Sequence, residues 1–568
     1  MGTRSGGVSR QESAPKQAVE GMKPRYVLLL AAALFLWWLG GHDLWSPDEP
    51  YYAEGAREMI VDGKWVVPHV NGVFTPDKPP LFFWLIAFFS LLFGEVTPWT
   101  ARLPSALAAL GTVALTMRLT RRLCGPRTAW VAGFVLATTY MFWDKARWSQ
   151  TDSVLCLLIW VALSAFEAFR SGDVAGNRAG LLFWGAAALA VLDKGPPGIV
   201  LPLGIALVIL ATDGDLDRWW RFAPATGPVL FAAVLGVWAV SVQKWGPDGY
   251  SIWSAFQEHF LDRGLRGLHH KQPPWYFLKT LPLNLLPWTG LIPGALVLAW
   301  RRRRLAEARL PLVAAVFVVA IFSISPEKRE LYALPAIPAL AILVACLIAA
   351  LVGWNESGAD EEPFLDRRWL TVGQSFMGVL AIAAAGYYTV VARQGLEGIP
   401  FSHMWPLFAV AGLTGVATLA LVWRGRLLWA ALTPAIGSAL ICSIAAVAVY
   451  PALDQKKSAR RFSQTIREAT AESRAEGLPV LATGLGNLPE HFAFYSDGVY
   501  TTEANDLARL MRHLERPEAA FAVARREAVE TIAASMTGDI FVVASTHLAR
   551  RDVLLITNIE RPGSLPYR

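Results

Sequence analysis

Long apolar runs dominate this sequence. There are thirteen of them, each near the length of about 20 residues that a helix needs to cross a bilayer. They lie near 26–42, 101–118, 128–143, 152–169, 179–193, 196–212, 226–245, 276–299, 309–325, 331–352, 371–392, 406–423 and 428–450. Only 17% of the 568 residues are charged, against about 25% in an average soluble protein. These features exclude a soluble enzyme and predict a polytopic α-helical membrane protein with about 13 transmembrane helices.

Arginine-rich loops set the expected orientation. Short loops rich in Lys and Arg stay in the cytoplasm, and here they are 118–127, 218–221, 301–304, 366–368 and 424–426. All five fall on one side if residues 1–24 form a cytoplasmic tail and the short apolar segment 81–93 lies in the outer interface without crossing. The net charge of +7 is then explained by membrane topology, with no nucleic-acid partner. The membrane domain is expected over 25–450, with long outer loops at 43–100 and 246–275.

The C-terminal region 451–568 has a different composition. Charged residues become frequent, and the apolar runs shrink to strand length near 479–483, 541–544 and 552–556. Helical stretches at 505–514 and 526–535 alternate with them. This pattern predicts a small α/β domain, and an odd number of spans puts it outside. It contains no nucleotide-binding loop. The four cysteines lie in or beside different apolar runs, which predicts small buried side chains and no obvious disulfide pair.

Ionisable residues gather in the predicted outer loops and at the outer span ends. The acids are Asp48, Glu49 and Asp152, and the cations are Lys78, Lys194, Arg263, Lys328 and Arg329. Local explanations exist for some of them: Asp48 and Glu49 suit the first turn of a helix, and Lys194 has Asp193 beside it. Together, however, clustered cations suit a lipid phosphate, and neighbouring carboxylates suit transfer chemistry on that lipid. A transporter or lipid-linked sugar flippase and a non-catalytic scaffold are the alternatives.

The order of these motifs resembles that of the GT-C membrane glycosyltransferases. The matching residues are Asp48-Glu49-Pro-Tyr-Tyr-Ala-Glu54, Trp65-Val-Val-Pro-His69, Asp77-Lys78-Pro79, Arg102, Asp152, Asp193-Lys194-Gly195, Glu258-His259, His270 with Pro274-Trp275-Tyr276, and Lys328 with Tyr332. The pattern is most similar to the aminoarabinose transferases of lipid A modification, relatives of the protein O-mannosyltransferases, and it covers residues 25–350. The resemblance implies a GT-C fold, a sugar donor on undecaprenyl phosphate, and an active site on the periplasmic face of a bacterial inner membrane.

The same resemblance implies roles for individual residues. Asp48 is the expected base or stabiliser of a cationic sugar-like transition state, and Glu49 and Asp152 are the other expected catalytic acids. The lipid phosphate is expected to bind Lys78, Lys194, Arg263, Lys328, Arg329 and Tyr332. A divalent metal such as zinc is implied at Asp77 and His270, with Asp where the family pattern has Glu.

The acceptor is expected to be a lipid A phosphate, with a protein or another envelope glycan as the alternative. A phosphate is already anionic and needs little deprotonation, whereas a protein hydroxyl needs a base that is active near neutral pH. Arg329 and Lys271 are further cations in the outer loops, and a second anionic lipid would use them.

Overall fold

The computed structural model describes residues 24–75, 78–222, 225–246, 271–354, 368–393, 399–483, 485, 489–498, 501–503, 507–536, 538–548 and 551–567. Three of the predicted site residues, Asp77, Arg263 and His270, lie outside these ranges.

Helices account for most of the described chain up to residue 457. They are α1 (Pro24–Leu36), α2 (Asp48–Asp62), α3 (Leu81–Phe93), α4 (Pro98–Cys124), α5 (Pro126–Thr138), α6 (Tyr140–Ala146), α7 (Asp152–Arg170), α8 (Gly176–Lys194), α9 (Pro197–Asp213), α10 (Thr226–Trp245), α11 (Tyr276–Asn284), α12 (Ile292–Arg301), α13 (Ala306–Ile324), α14 (Ile337–Val352), α15 (Arg368–Arg393), α16 (Phe401–Trp423), α17 (Leu427–Ile444) and α18 (Tyr450–Lys457). The hairpin β1 (His69–Val70) and β2 (Val73–Phe74) follows α2.

Eight helices in the described part of the chain are long and apolar enough to cross a membrane, or nine if a bent pair counts as one span. The eight are Pro98–Cys124, Asp152–Arg170, Thr226–Trp245, Ala306–Ile324, Glu330–Val352, Arg368–Arg393, Phe401–Trp423 and Leu427–Lys457. The bent pair, Tyr276–Asn284 and Thr289–Arg301, turns by 120° within the predicted segment 276–299. Helices also occupy the other four predicted segments, but these are shorter or less apolar. The protein is thus a multi-pass helical membrane protein.

Burial differs sharply among these helices. In Glu330–Val352, 83% of the apolar 18-residue stretch is buried inside the protein. The same fraction is 11% for Thr226–Trp245 and for Phe401–Trp423. The helix Glu330–Val352 therefore belongs to the centre of the bundle. The helices Thr226–Trp245 and Phe401–Trp423 lie at its edge, where lipid would cover them. The short helix α3 has the bounds predicted for an interfacial segment, and it buries Phe82 and Phe83 while leaving other large apolar side chains exposed.

Local sequence fixes the start of α4, which carries Arg102 into the protein centre. Thr97 forms a capping box: its hydroxyl accepts from the Thr100 backbone N–H at 3.1 Å, and the Thr100 hydroxyl accepts from the Thr97 N–H at 2.8 Å. Pro98 occupies the first helical position, where its missing N–H costs nothing. The helix ends before Gly125, whose φ of 87° is unfavourable for other residues.

A mixed six-stranded sheet forms the centre of the C-terminal region. Its strands are β3 (Val480–Thr483), β4 (Thr501–Glu503), β5 (Phe521–Arg525), β6 (Phe541–Leu548), β7 (Arg551–Thr557) and β8 (Leu565–Pro566), in the order β4-β3-β5-β7-β6-β8. The pairs β4–β3 and β3–β5 are parallel and the others antiparallel. The helices here are α19 (Arg460–Ala469), α20 (Ala471–Ala475), α21 (Pro489–Ala493), α22 (Leu507–Leu514) and α23 (Arg526–Ser535).

Alternation along β5 explains why helices cover both faces of this sheet. Phe521 and Val523 pack with Phe462 of α19 on one face, whereas Ala522 packs with Leu510 of α22 on the other. Successive strand residues point to opposite faces, so a strand with apolar residues at both parities is buried on both sides. Strands β3, β6 and β7 and helices α22 and α23 lie where the sequence predicted apolar runs and helical stretches. Strands β4, β5 and β8 and helices α19, α20 and α21 were not predicted.

The cysteines agree with the sequence prediction. All four are free, with Cys124, Cys156 and Cys442 buried and Cys346 half-buried. Cys124 and Cys346 nevertheless have their sulfur atoms 3.1 Å apart, although 222 residues separate them in the chain. The contact joins α4 to α14, two helices whose proximity is not visible in the sequence.

Candidate functional site

Asp48 begins helix α2 just beyond the first apolar segment. Its carboxylate favours the positive end of the helix, as the helix-capping interpretation expects. The side chain nevertheless makes its hydrogen bonds to other parts of the protein. Asp48 Oδ2 accepts from Gln150 Nε2 at 2.6 Å and from the Arg329 guanidinium at 2.9 Å. These partners join three distant segments of the chain around one carboxylate, whose side chain is 25% exposed.

The charge of Asp48 is maintained by its surroundings. Burial by itself raises the pKa of a carboxyl, but the Arg329, Lys78 and Lys194 charges oppose this, and the pKa of Asp48 lies below its ordinary value. Burial alone would lower the pKa of Arg329. The charge of Asp48 helps to raise the pKa of Arg329 above its ordinary value. The site therefore holds an ionised carboxylate next to a group of cations near neutral pH.

Lys194 ends helix α8 and reaches the start of helix α7. Its ammonium donates to Asp152 Oδ1 at 2.5 Å and lies 5.6 Å from the centre of the Tyr332 ring. The local alternative, a pair with Asp193, is wrong, because the ion pair is made across two helices instead. Asp152, Lys194 and Tyr332 thus form a second group next to Asp48, as the grouping of outer-loop residues predicts.

Glu49 takes part in a buried network behind Asp48. Its two carboxylate oxygens accept from Arg102 Nε at 2.7 Å and from Arg102 Nη2 at 2.8 Å, and both side chains are 0% exposed. The backbone N–H groups of Trp45 and Ser149 donate to the same carboxylate, each at 3.0 Å. Protein donors therefore occupy both oxygens of Glu49.

Arg102 completes that network with backbone acceptors. It donates to the carbonyls of Leu39 at 2.9 Å, His42 at 3.0 Å and Asp43 at 2.7 Å. A guanidinium has a fixed planar array of donors, so these contacts fix the loop that leads into α2. The position of Asp48 is thereby tied to helix α4.

Lys328 occupies a different environment from Arg329. Its ammonium donates to the carbonyls of Gln272, at 2.9 Å, and Ser325, and its residue is only 3% exposed. Burial lowers the pKa of Lys328. The neighbouring bridge between Lys271 and Glu327 joins the same two segments. The contacts of Lys328 thus hold two outer loops together, whereas its predicted binding of a lipid phosphate stays a prediction.

The C-terminal region contacts the same first loop. The Tyr495 hydroxyl accepts from the Leu44 N–H at 2.6 Å, and the Ser46 hydroxyl lies 2.7 Å from His491 Nδ1. His491 is buried, and its pKa is lowered to about 4, chiefly by that burial. At neutral pH a neutral His491 imidazole therefore packs against Ser46, which stands two residues before Asp48 in the chain. The sequence had suggested no role for this region in the site.

Three sequence predictions cannot be placed on this geometry. Asp77 and His270, the implied metal ligands, and Arg263 lie outside the described residues. Within the described residues there is no group of three or more His, Cys, Asp or Glu side chains arranged to hold a metal. The main partner that sequence reasoning missed is Gln150, although it stands only two positions before Asp152 in the same motif.

Comparisons with known proteins agree with this fold. Residues 77–245 match the family described as dolichyl-phosphate-mannose-protein mannosyltransferase. The undecaprenyl phosphate-alpha-4-amino-4-deoxy-L-arabinose arabinosyl transferase of Edwardsiella ictaluri is 32% identical over 371 residues, or 64% of each chain. The enzyme of the same name from Pseudomonas aeruginosa is 30% identical over 436 residues, or 75% of each chain. The matched stretch thus spans slightly less than two thirds of the Edwardsiella protein.

A solved structure matches nearly the whole chain. It is ArnT from Cupriavidus metallidurans bound to undecaprenyl phosphate, with a TM-score of 0.75, 23% identity, and coverage of 94% of this chain and 98% of that one. The apo form of the same protein gives a TM-score of 0.74. At this identity the likeness establishes the GT-C fold. The Pseudomonas relative, which is matched over 75% of each chain, shows that the chain belongs to the undecaprenyl phosphate-alpha-4-amino-4-deoxy-L-arabinose arabinosyl transferase family of membrane glycosyltransferases.

Proposed function

We propose that this protein transfers 4-amino-4-deoxy-L-arabinose from undecaprenyl phosphate to a phosphate group of lipid A, on the periplasmic face of a bacterial inner membrane. The sugar and its carrier are those in the names of the relatives. The observation that carries the proposal is the ionised Asp48 surrounded by Arg329, Lys78 and Lys194.

The cations suit the phosphate of the donor. Arg329 and Lys194 each balance an acid, Asp48 and Asp152, and Lys78 adds a third positive charge. Clustered cations of this kind suit a phosphate, whose oxygens accept charge-assisted hydrogen bonds from them. In the reaction, an acceptor oxygen attacks the anomeric carbon, the bond from that carbon to the carrier phosphate breaks, and undecaprenyl phosphate leaves with the electron pair. The cations stabilise the charge that grows on the leaving phosphate.

The low pKa of Asp48 favours a phosphate acceptor over a hydroxyl. A general base works best when its pKa lies near the working pH, and the pKa of Asp48 lies below that of an ordinary carboxyl. An ionised carboxylate is instead well suited to stabilise the positive charge that develops on the sugar ring. A phosphate oxygen already carries its negative charge and needs no strong base. Glu49, whose oxygens are occupied, acts in this scheme as a positioning residue for Asp48.

An apolar groove near Lys194 suits the polyprenyl chain. It has a volume of about 490 Å³ and lies between helices α8 and α10, with Trp84 of α3 at its edge. Leu192, two residues before Lys194, lines it. Apolar surface of this kind is favourable for a hydrocarbon tail while the phosphate reaches the cations at the end of α8.

The positions of charged residues along the helices support a periplasmic site and 13 spans. Helix α7 starts at Asp152 and ends at Arg170, and α13 runs from the 301–304 arginine loop toward Arg329. A 19-residue helix such as α7 is about 28 Å long, close to the thickness of the hydrocarbon core. The site thus lies at the end of the bundle opposite the basic loops, which the positive-inside rule places in the cytoplasm. The C-terminal domain then lies in the periplasm.

Reconstitution tests the proposal directly. The purified full-length protein in nanodiscs would be mixed with undecaprenyl phosphate-aminoarabinose and lipid A, and the lipid A would be analysed by mass spectrometry. We expect the mass of lipid A to increase by one aminoarabinosyl group. The same assay with lipid A stripped of phosphate is the matched control and should give no product. An unchanged lipid A with modification of an added protein acceptor would contradict the proposal and favour mannosyltransferase-like chemistry.

A further inference from the structure

A second, polar cavity lies between the membrane helices and the C-terminal domain. Neither Asp48 nor its partners Gln150 and Arg329 line this cavity. Its volume is about 900 Å³, within the range of small-molecule sites. The floor is formed by the loop after α1, from Gly40 to Asp43, and by Pro98 at the start of α4. Helix α19 and strand β6 of the C-terminal domain form the opposite wall. The proposed transfer step uses none of the side chains on that wall.

The floor lies at the level where the membrane meets water. Trp37 and Trp38 directly precede it and are 64% and 48% exposed, and exposed tryptophans are typical of that boundary. Gly40 and Gly41 pack tightly there, since a Cβ at Gly40 would lie 2.9 Å from Trp99 and one at Gly41 would overlap the Trp38 ring. The cavity therefore lies beside the head-group region of the membrane.

One edge of the cavity is fixed by interactions within the protein. Asp43 accepts from the Ser458 hydroxyl at 2.8 Å and from the Arg460 guanidinium at 3.1 Å. Asp454 accepts from the Asp43 N–H and, at 2.7 Å, from the Trp45 indole. These contacts attach the C-terminal domain to the first outer loop and use the acids that line the cavity. These contacts thus fix the positions of the two segments that meet at this edge of the cavity.

Other lining side chains remain available to a ligand. Arg461, Gln455, Gln464, Ser545 and Thr546 line the cavity, and no side-chain hydrogen bond or ion pair of theirs occurs within the described ranges. An arginine supplies a fork of donors that matches a phosphate, and amides and hydroxyls match the hydroxyl groups of a sugar. Apart from Arg460, which is bonded to Asp43, Arg461 is the cation on this lining.

We infer that this cavity binds a phosphorylated sugar, namely the head group of the acceptor glycolipid before it meets the donor. The inference rests on the proposed function, because that function makes the occupant an acceptor. Arg461 holds a phosphate of the head group, and the amides and hydroxyls from α18, α19 and β6 bind its sugar. The acyl chains remain in the membrane beside Trp37 and Trp38.

Direct binding in the absence of donor tests this inference. Full-length protein in nanodiscs would be titrated with lipid A, with lipid A freed of phosphate, and with glucose 1-phosphate as a soluble sugar phosphate. We expect R461Q to weaken binding of lipid A by about 10-fold, as expected for the loss of one charge-assisted phosphate contact, and S545W, which fills the cavity, to weaken it at least as much. R509Q, an exposed arginine change on α22 away from the cavity, is the matched control and should bind as the unmodified protein does.

The outcomes separate the inference from the proposed function. Weaker lipid A binding by R461Q and S545W supports the inference even if no sugar transfer is ever detected. Unchanged binding by both variants overturns it, even if transfer to lipid A proceeds normally. Binding of glucose 1-phosphate without binding of lipid A also overturns it, because the occupant would then be a soluble metabolite. Equal binding of lipid A with and without phosphate removes the role assigned to Arg461.

Discussion

The change of Glu49 to Gln probes whether the network behind Asp48 holds the site in place. Glu49 and Arg102 are both 0% exposed and share two hydrogen bonds of 2.7 and 2.8 Å. Gln keeps the size of the side chain and removes its charge, so Arg102 is left as a buried cation without its counter-ion. Breaking a buried pair in this way costs about 3–5 kcal/mol. The amide NH₂ of Gln also meets groups that are all donors, namely Arg102 and two backbone N–H groups.

Thermal and chemical unfolding in detergent provide the assay. The free energy of unfolding of Glu49→Gln should fall by about 3–5 kcal/mol relative to the unmodified protein. Glu95→Gln, an exposed change in the same outer loop, is the matched control and should stay within about 0.5 kcal/mol. A double variant, Glu49→Leu with Arg102→Met, should recover part of the loss, but not all, because Arg102 also binds three backbone carbonyls.

The result that refutes this reasoning is a Glu49→Gln protein that unfolds like the unmodified protein. That outcome would mean that water or a rearranged loop compensates Arg102, and the role of Glu49 in positioning Asp48 would be withdrawn. If the variant is as stable as the unmodified protein but transfers no sugar, Glu49 returns to the directly catalytic role that the family resemblance implies.

Three further predictions concern the site and its surroundings. Asp48→Asn should leave the unfolding profile nearly unchanged and reduce transfer at least about 100-fold, the scale of losing a positioned acid or base group; near-normal transfer would remove Asp48 from the mechanism. Arg329→Gln should raise the pKa of Asp48, because that guanidinium helps hold it down, so the acidic limb of transfer rate against pH should move to higher pH; Lys64→Gln, which removes a lysine paired with Asp62, is the control, and an unmoved limb in the Arg329 variant would contradict the assignment. Glu58, buried beside Glu54, has its pKa raised to about 7. Its folded-state pKa exceeds its unfolded value of 4.5, so the free energy of unfolding should fall as pH rises from about 4.5 to 7, and Glu58→Gln should flatten this dependence; an unchanged slope would contradict it.

The sequence by itself determined the architecture of this protein to a large extent. A run of about 20 apolar residues has few choices other than a buried or membrane-spanning helix, because the backbone must satisfy its own hydrogen bonds there. Helices therefore lie within all thirteen predicted segments, although only eight of the described helices, or nine with the bent pair, are long and apolar enough to count as spans. Helix α3 has the predicted bounds of 81–93. Short apolar runs likewise predicted strands β3, β6 and β7. The order of outer-loop motifs was enough to indicate the GT-C family.

Only the tertiary structure decided which residues meet. Asp48 and Glu49 are neighbours on α2, and adjacent helix residues point about 100° apart. Asp48 consequently faces Gln150 and Arg329, which are 102 and 281 residues away, whereas Glu49 faces Arg102 inside the protein. Local sequence carries no record of such pairings, because they depend on how helices far apart in the chain pack. For the same reason, the sequence supplied the charged groups of the site, and packing determined which of them face a substrate and which hold the others in place.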